Sequence, residues 1–228
     1  MKLLCISDQI DPLVYSAGVK ERYGDVDAVL CAGDLPMEYI DFIVTTLNKP
    51  TVFVFGNHNL DDYRYYHATP DNNGYIPDVE LNHCHGALYA GFKSFRIGNL
   101  IITGASGSMR YNKGLSQYTN RQMAFRMFRL SFRLLLNKLL YGRATDIFLT
   151  HAPPEGIHDK NDPCHRGFKC YLSFMDTYKP KFLVHGHIHL YDISEPRVTQ
   201  YKDTTVINAF SHYVIEMPDP PKKEKRTK

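Results

Sequence analysis

Unbroken apolar stretches, more than alternating ones, set the hydrophobic pattern of this chain. Residues 2–7, 26–31, 51–55, 146–150 and 181–184 are short runs rich in Val, Ile, Leu and Phe, each bounded by polar residues. Runs of this kind predict strands of a sheet covered on both faces. Between the first two, Asp11-Pro12 predicts a helix start, and Gly24 suits its stop. Residues 36–47 predict a second helix, so the chain opens β-α-β-α-β. The middle differs: residues 87–90, 95–97 and 100–103 predict short strands, with Gly98-Asn99 as a tight connection. Residues 117–141 form the longest helical candidate. Strands are expected again near residues 198–201, 204–208 and 213–217. No repeat or linker divides the chain, so one domain is expected over residues 1–217. The Pro- and Lys-rich residues 218–228 are expected to be a basic, disordered tail.

Composition narrows the classes. A chain of 228 residues is long enough for one large α/β domain with a sizeable core. A net charge of +3 gives no global reason for nucleic-acid binding. No apolar run approaches a membrane span. The five cysteines are odd in number and form no Cys-x-x-Cys pair, which argues for a reducing compartment. The chain starts directly with a strand-like KLLCIS, without a leader pattern, so the cytoplasm is the expected location. Eleven histidines are the unusual count, and several are clustered.

The five buried runs share one property. Each ends in residues able to bind metal: Asp8 in ISDQ, Asp34 in AGD, Asn57 and His58 in GNHN, His151 in LTHAPP, and His187 and His189 in HGHIH. Singly, Asp and Asn after a strand are turn chemistry. Jointly they point to a ligand site at the carboxyl ends of strands, where α/β folds place their sites. Carboxylates, imidazoles and one amide oxygen suit Mn, Fe, Zn or Co. Asp34, after a glycine at a strand end, can bridge two ions. Two ions about 3.5–4 Å apart lower the pKa of a bridging water and clamp a phosphate during in-line attack. His58, next to Asn57, is placed to protonate a leaving oxygen.

In this order the blocks ISD, GD, GNH, THAPP and GHIH resemble the calcineurin-like metallophosphoesterase superfamily, over residues 3 to about 190. The resemblance implies a four-layer α-β-β-α sandwich of two mixed β-sheets flanked by helices, within the α/β class. It implies two divalent ions, one on Asp8, Asp34 and His189 and one on Asp34, Asn57, His151 and His187, with His58 catalytic. Two positions depart from the family. The first block usually reads Asp-x-His, but here its third residue is Ile10, which cannot ligate. Asn59 stands where an Asp often orients the histidine. Asp11 is either a substitute ligand or a helix cap. The segments ISDQIDP and GSMRYN…QYT are similar to an uncharacterised prokaryotic subgroup that shares the missing histidine.

Other residues carry open alternatives. His158, His165 and Arg166 either face the substrate from the loop after His151 or are surface loop residues. Arg110 either clamps a phosphate bidentately or is a surface arginine, and Tyr111 beside it joins Asn57 among the candidate substrate contacts. His83-Cys84-His85, or His158 with Cys164, His165 and Cys170, match no standard zinc spacing. Arg126, Arg129 and Arg133 share one helical face, read as a solvated face rather than a membrane or nucleic-acid surface. The expected function is a metal-dependent phosphoesterase acting on a small phosphorylated substrate, a phosphodiester or nucleotide, with manganese among the candidate ions and with no membrane or nucleic-acid partner. The alternatives are a catalytically weakened interaction scaffold, which the missing histidine favours and the retained histidines oppose, and a nuclease.

Overall fold

The structure, a computed structural model, describes residues 1–67, 86–192 and 194–221. One sheet holds β1 (Lys2–Ser7), β2 (Ala28–Cys31), β3 (Thr51–Phe53) and β4 (Ala87–Tyr89), all parallel. The second holds β5 (Ser94–Ile97) and β6 (Leu100–Ala105). After the parallel pair β7 (Ser108–Met109) and β8 (Gln117–Tyr118), it continues with β9 (Ile147–Thr150), β10 (Phe182–His185), β11 (Val198–Tyr201) and β12 (Thr204–Asn208). The last strand, β13 (Ser211–Glu216), returns antiparallel to the edge of the first sheet. The orders are β13-β1-β2-β3-β4 and β11-β12-β10-β9-β6-β5, with β5 and β11 antiparallel to their neighbours.

Side chains alternate across a strand, and that period sorts the core into three layers. Leu3, Cys5, Leu30 and Val52 meet Ile102, Ile147, Leu149 and Val184 between the two sheets. Leu4, Ile6, Val29 and Phe53 face the other way, against α1 (Val19–Tyr23) and α2 (Met37–Leu47). A short α3 (Tyr63–His67) follows β3. Phe148, Leu183 and Val206 on the outer face of the second sheet pack on α4 (Asn120–Tyr141) and α5 (Lys169–Tyr178). The result is the α-β-β-α sandwich of two mixed sheets.

Three local expectations need correction. The first helix begins at Val19, after Gly18, and not at Asp11, whose carboxylate accepts from Leu13 N at 2.7 Å and reaches across to β13. α4 begins after Thr119, whose side chain and that of Gln122 form a capping box. Residues 117 and 118 pair as a strand instead. α5 has no counterpart among the predicted elements, although Tyr171, Phe174 and Met175 give it a buried stripe at helical spacing. Residues 218–221 lie against the body: the N-terminal ammonium pairs with Asp219 at 3.0 Å, and Arg143 donates to the Pro221 carbonyl at 3.2 Å. The rest of the expected tail, 222–228, lies outside the described residues, as does His83-Cys84-His85. No described helix is long and apolar enough to cross a membrane.

Candidate metal centre

The carboxyl ends of β1, β2 and β3 meet those of β9 and β10 across the sandwich. Asp8, Asp34 and His187 each leave their strand in the left-handed region, with φ of 63°, 55° and 67°. That conformation is costly for residues with a side chain, and it turns all three toward one another. The carboxylate Oδ2 of Asp34 lies 3.3 Å from His151 Nε2, and Asn57 Oδ1 lies 3.2 Å from the same nitrogen. Donor atoms of Asp34, His151 and His187 all fall within 4.8 Å of one another, and all three residues are buried.

Each donor is oriented by a partner on its far side. His151 Nδ1 donates to the Ala32 carbonyl at 2.8 Å, which turns Nε2 toward the cluster as the nitrogen an ion would take in place of a proton. His187 Nε2 donates to the Cys164 carbonyl at 2.6 Å, which leaves Nδ1. Asn57 Nδ2 donates to the Tyr111 hydroxyl at 3.2 Å, so its amide oxygen faces the cluster. Two glycines make room for the His151 ring. A Cβ on Gly33, at φ +97°, would come within 2.6 Å of Nδ1, and one on Gly56 within 2.6 Å of Nε2.

The electrostatics favour positive charge at the centre. Burial alone would push the Asp34 carboxyl up. The His151 ring beside it and the His58 N–H, donated at 2.7 Å, outweigh burial and hold it well below the carboxylate range. Burial opposes charge on His151, yet Asp34 and then Asp8 raise its pKa. His187 goes the other way, to about 4, through burial and the neighbouring His151, and so stays a neutral donor. A buried set of one carboxylate, one amide oxygen and two imidazoles, each with a satisfied outer side, fits a divalent ion.

The second half is looser. Both Asp8 oxygens accept from His187 N, at 2.9 and 3.0 Å. His189 Nε2 is 3.7 Å from Asp8 Oδ1, its Nδ1 bonds the Tyr191 hydroxyl at 2.7 Å, and its ring stacks on Phe210. Ile10 is exposed. Asp11 does not fill in for a histidine there, because its carboxylate is taken up by Leu13 N, Ser211 and His212. The His58 ring is exposed and makes no hydrogen bond among the described residues. Asn59 braces the turn instead of that ring: at φ 50° it donates to the Asp34 carbonyl at 2.9 Å.

Of the candidate substrate contacts, Tyr111 touches the cluster through Asn57. His165 lies with its ring 5.4 Å from that of His187, in a second group with Asp162 and Cys164. Arg166 is an exposed loop residue. Arg110 is turned away: it donates to the Gln117 carbonyl and lines a groove with Phe125, Arg126 and Arg129 on α4. His158 is also committed elsewhere. Thr199 Oγ1 donates to its Nε2 at 2.8 Å, its Nδ1 donates to His185 Nε2 at 2.9 Å, and His185 Nδ1 donates to the Gly186 carbonyl. This chain of neutral rings ties the loop after β9 to β10 and β11. The orienting groups Ala32 O and Cys164 O were invisible in the sequence, because any residue supplies a carbonyl.

Residues 1–191 match the calcineurin-like phosphoesterase family. No curated protein matches the chain in sequence. One solved crystal structure is 14% identical and superposes with a TM-score of 0.63, over 94% of both chains. TT1561 of Thermus thermophilus is also 14% identical, with a TM-score of 0.59 over 92% of this chain and 89% of that one. At these identities the likeness is one of fold.

Burial holds His158 at about 4, below its ordinary value near 6.5. The unfolded chain therefore takes up its proton first as pH falls. The stabilisation is whole above about 6.5 and drains away toward pH 4. His158→Gln, which keeps a polar group without the titration, is expected to flatten the fall of the thermal unfolding midpoint across that window. An unchanged slope would contradict the burial of a neutral His158.

Proposed function

The chain belongs to the calcineurin-like phosphoesterase family, and we propose that it hydrolyses a phosphodiester or a nucleotide with His58 as general acid. It is a metal-dependent phosphoesterase. The proposed ion sites are Asp34, Asn57, His151 and His187 for one, and Asp8, Asp34 and His189 for the other, with Mn, Fe or Zn suited to the mixed donor set. A divalent ion held there neutralises phosphoryl charge and makes water nucleophilic at neutral pH.

The observation that carries this proposal is the convergence of Asp34, Asn57, His151 and His187, each held from behind by Ala32 O, Cys164 O, His58 N or Tyr111. Such outer partners fix ring and amide orientation before any ligand arrives. His58 supports the acid role by position. Its backbone is pinned to Asp34 while its ring stays exposed beside the cluster, free to meet a leaving oxygen. His165 and Arg166, on the loop whose Cys164 carbonyl orients His187, are the proposed contacts to the rest of the substrate.

His58→Ala is expected to lower turnover by roughly 10²–10⁴-fold, the range of a positioned acid, with metal content nearly unchanged. The loss should shrink for nitrophenolate leaving groups, which need no proton. Equal losses on nitrophenolate and alkoxide leaving groups contradict the role, and loss of metal makes His58 structural.

The two ion sites are expected to differ in affinity. Calorimetric titration of stripped protein with Mn should give one tight step and one weaker step. The weaker step should vanish first in His189→Ala, whose ring is already half exposed. Two equal tight steps would contradict the assignment.

A further inference from the structure

α4 rests on the second sheet through Met123, Met127, Leu130 and Leu134. A helix in this position ordinarily turns polar residues outward. Here the side opposite the buried stripe carries Phe125, Phe128, Phe132, Leu135, Leu136 and Leu139. At 3.6 residues per turn these six fall in an arc of about 100°. All are exposed, Phe132 by 66% and Leu139 by 84%. The expected solvated basic face is therefore only one flank of the helix. A continuous apolar stripe of this size on a surface marks something that covers it.

The charges beside the stripe say what kind of cover it is. α4 carries Arg121, Arg126, Arg129, Arg133 and Lys138 and no carboxylate. Arg126 lies over the rings of Phe92 and Tyr118, at 4.8 and 4.7 Å. With Arg129, Arg133 and Lys93 it borders a cavity of 540 Å³ walled by Phe92 and Phe95, with no acidic residue in its lining. None of these three arginines takes part in an ion pair among the described residues. A second copy of this chain placed on the stripe would bring cations toward cations, with no carboxylate on either helix to meet them. A phospholipid surface offers the complement, an apolar layer beneath a sheet of anionic headgroups.

We infer that the outer face of α4 is a docking surface for an anionic phospholipid membrane. The helix lies in the plane of the surface, the six apolar side chains enter the boundary of the acyl layer, and Arg126, Arg129, Arg133 and Lys93 meet lipid phosphates. At 22 residues the helix is about 33 Å long, and its five cations keep it on the surface rather than across it. This goes beyond the phosphoesterase reading and departs from the expectation of no membrane partner.

The test is cosedimentation of the full-length, metal-loaded protein with vesicles. One set is an equimolar mixture of phosphatidylglycerol and phosphatidylcholine, the other phosphatidylcholine alone. Binding is expected to the mixed vesicles, weaker by about tenfold or more on phosphatidylcholine, and weakened by salt. The double variants Phe128→Ser/Phe132→Ser and Arg129→Glu/Arg133→Glu should each reduce binding on the order of tenfold or more. Helical circular dichroism and phosphoesterase activity should stay unchanged, since none of these side chains touches the metal centre. The inference is overturned if the protein ignores mixed vesicles, or if the Phe128→Ser/Phe132→Ser variant binds them as well as the parent. It is also overturned if sedimentation velocity shows a dimer that the same variant dissolves while vesicles are not bound, which would give the stripe to a second copy. Retention of an acidic protein at α4 without vesicle binding would overturn it in the same way.

Discussion

Asp34 puts a carboxylate between the carboxyl ends of two sheets, where a lone charge costs several kcal/mol unless partners meet it. Its partners come from both halves of the sandwich. His58 N lies in the loop after β3 of the first sheet, and the His151 ring reaches over from the second. The imidazole fits between Gly33 and Gly56 only because neither has a Cβ, and its far nitrogen is bound to Ala32 O. The registry of the two sheets, the two glycines and the left-handed turns at Asp8, Asp34 and His187 all serve this one contact. A divalent ion would complete it, because two aspartates draw positive charge to the spot that His151 faces.

The strands were legible because their apolar runs, such as LLCI and IFLT, are unbroken and short, as strands buried on both faces are. The candidate ligand residues stand out in the sequence because they sit at the ends of those runs. Asp11 was not. Its Asp-Pro pattern reads as a helix cap, and nothing local shows that Ser211 and His212, some two hundred residues later, return on β13 to take its carboxylate. His158 misled for the same reason, since its partners His185 and Thr199 belong to strands after it in the chain. Arg110 followed a loop rich in small residues, yet its guanidinium bends back to the Gln117 carbonyl. Residue type is local information, and a hydrogen-bond partner across the sheet is not.

The two halves of the candidate centre differ, and the exposed Ile10 supplies no ligand to either. Around His151 every donor is buried and held from behind. Around His189 the ring is half exposed, propped by Tyr191 and Phe210, and nearest to a carboxylate already occupied by the His187 backbone. Such asymmetry encloses the inner half and leaves the outer half open to solvent. α4 is set apart from both. Its inner stripe belongs to the sandwich, its outer stripe has no role in the core, and its charge is of one sign throughout.

The Asp34–Asn57–His151–His187 cluster is the proposed tight metal site of this phosphoesterase. The structure offers a rival group of donors in Asp162, Cys164 and His165, so location decides more than stoichiometry does. Anomalous scattering from crystals of the purified protein loaded with Mn tests it most directly. A strong peak is expected bounded by Asp34, Asn57, His151 and His187, absent in crystals of Asp34→Asn. A strong peak only at Asp162, Cys164 and His165, or no peak within reach of His151, would contradict it.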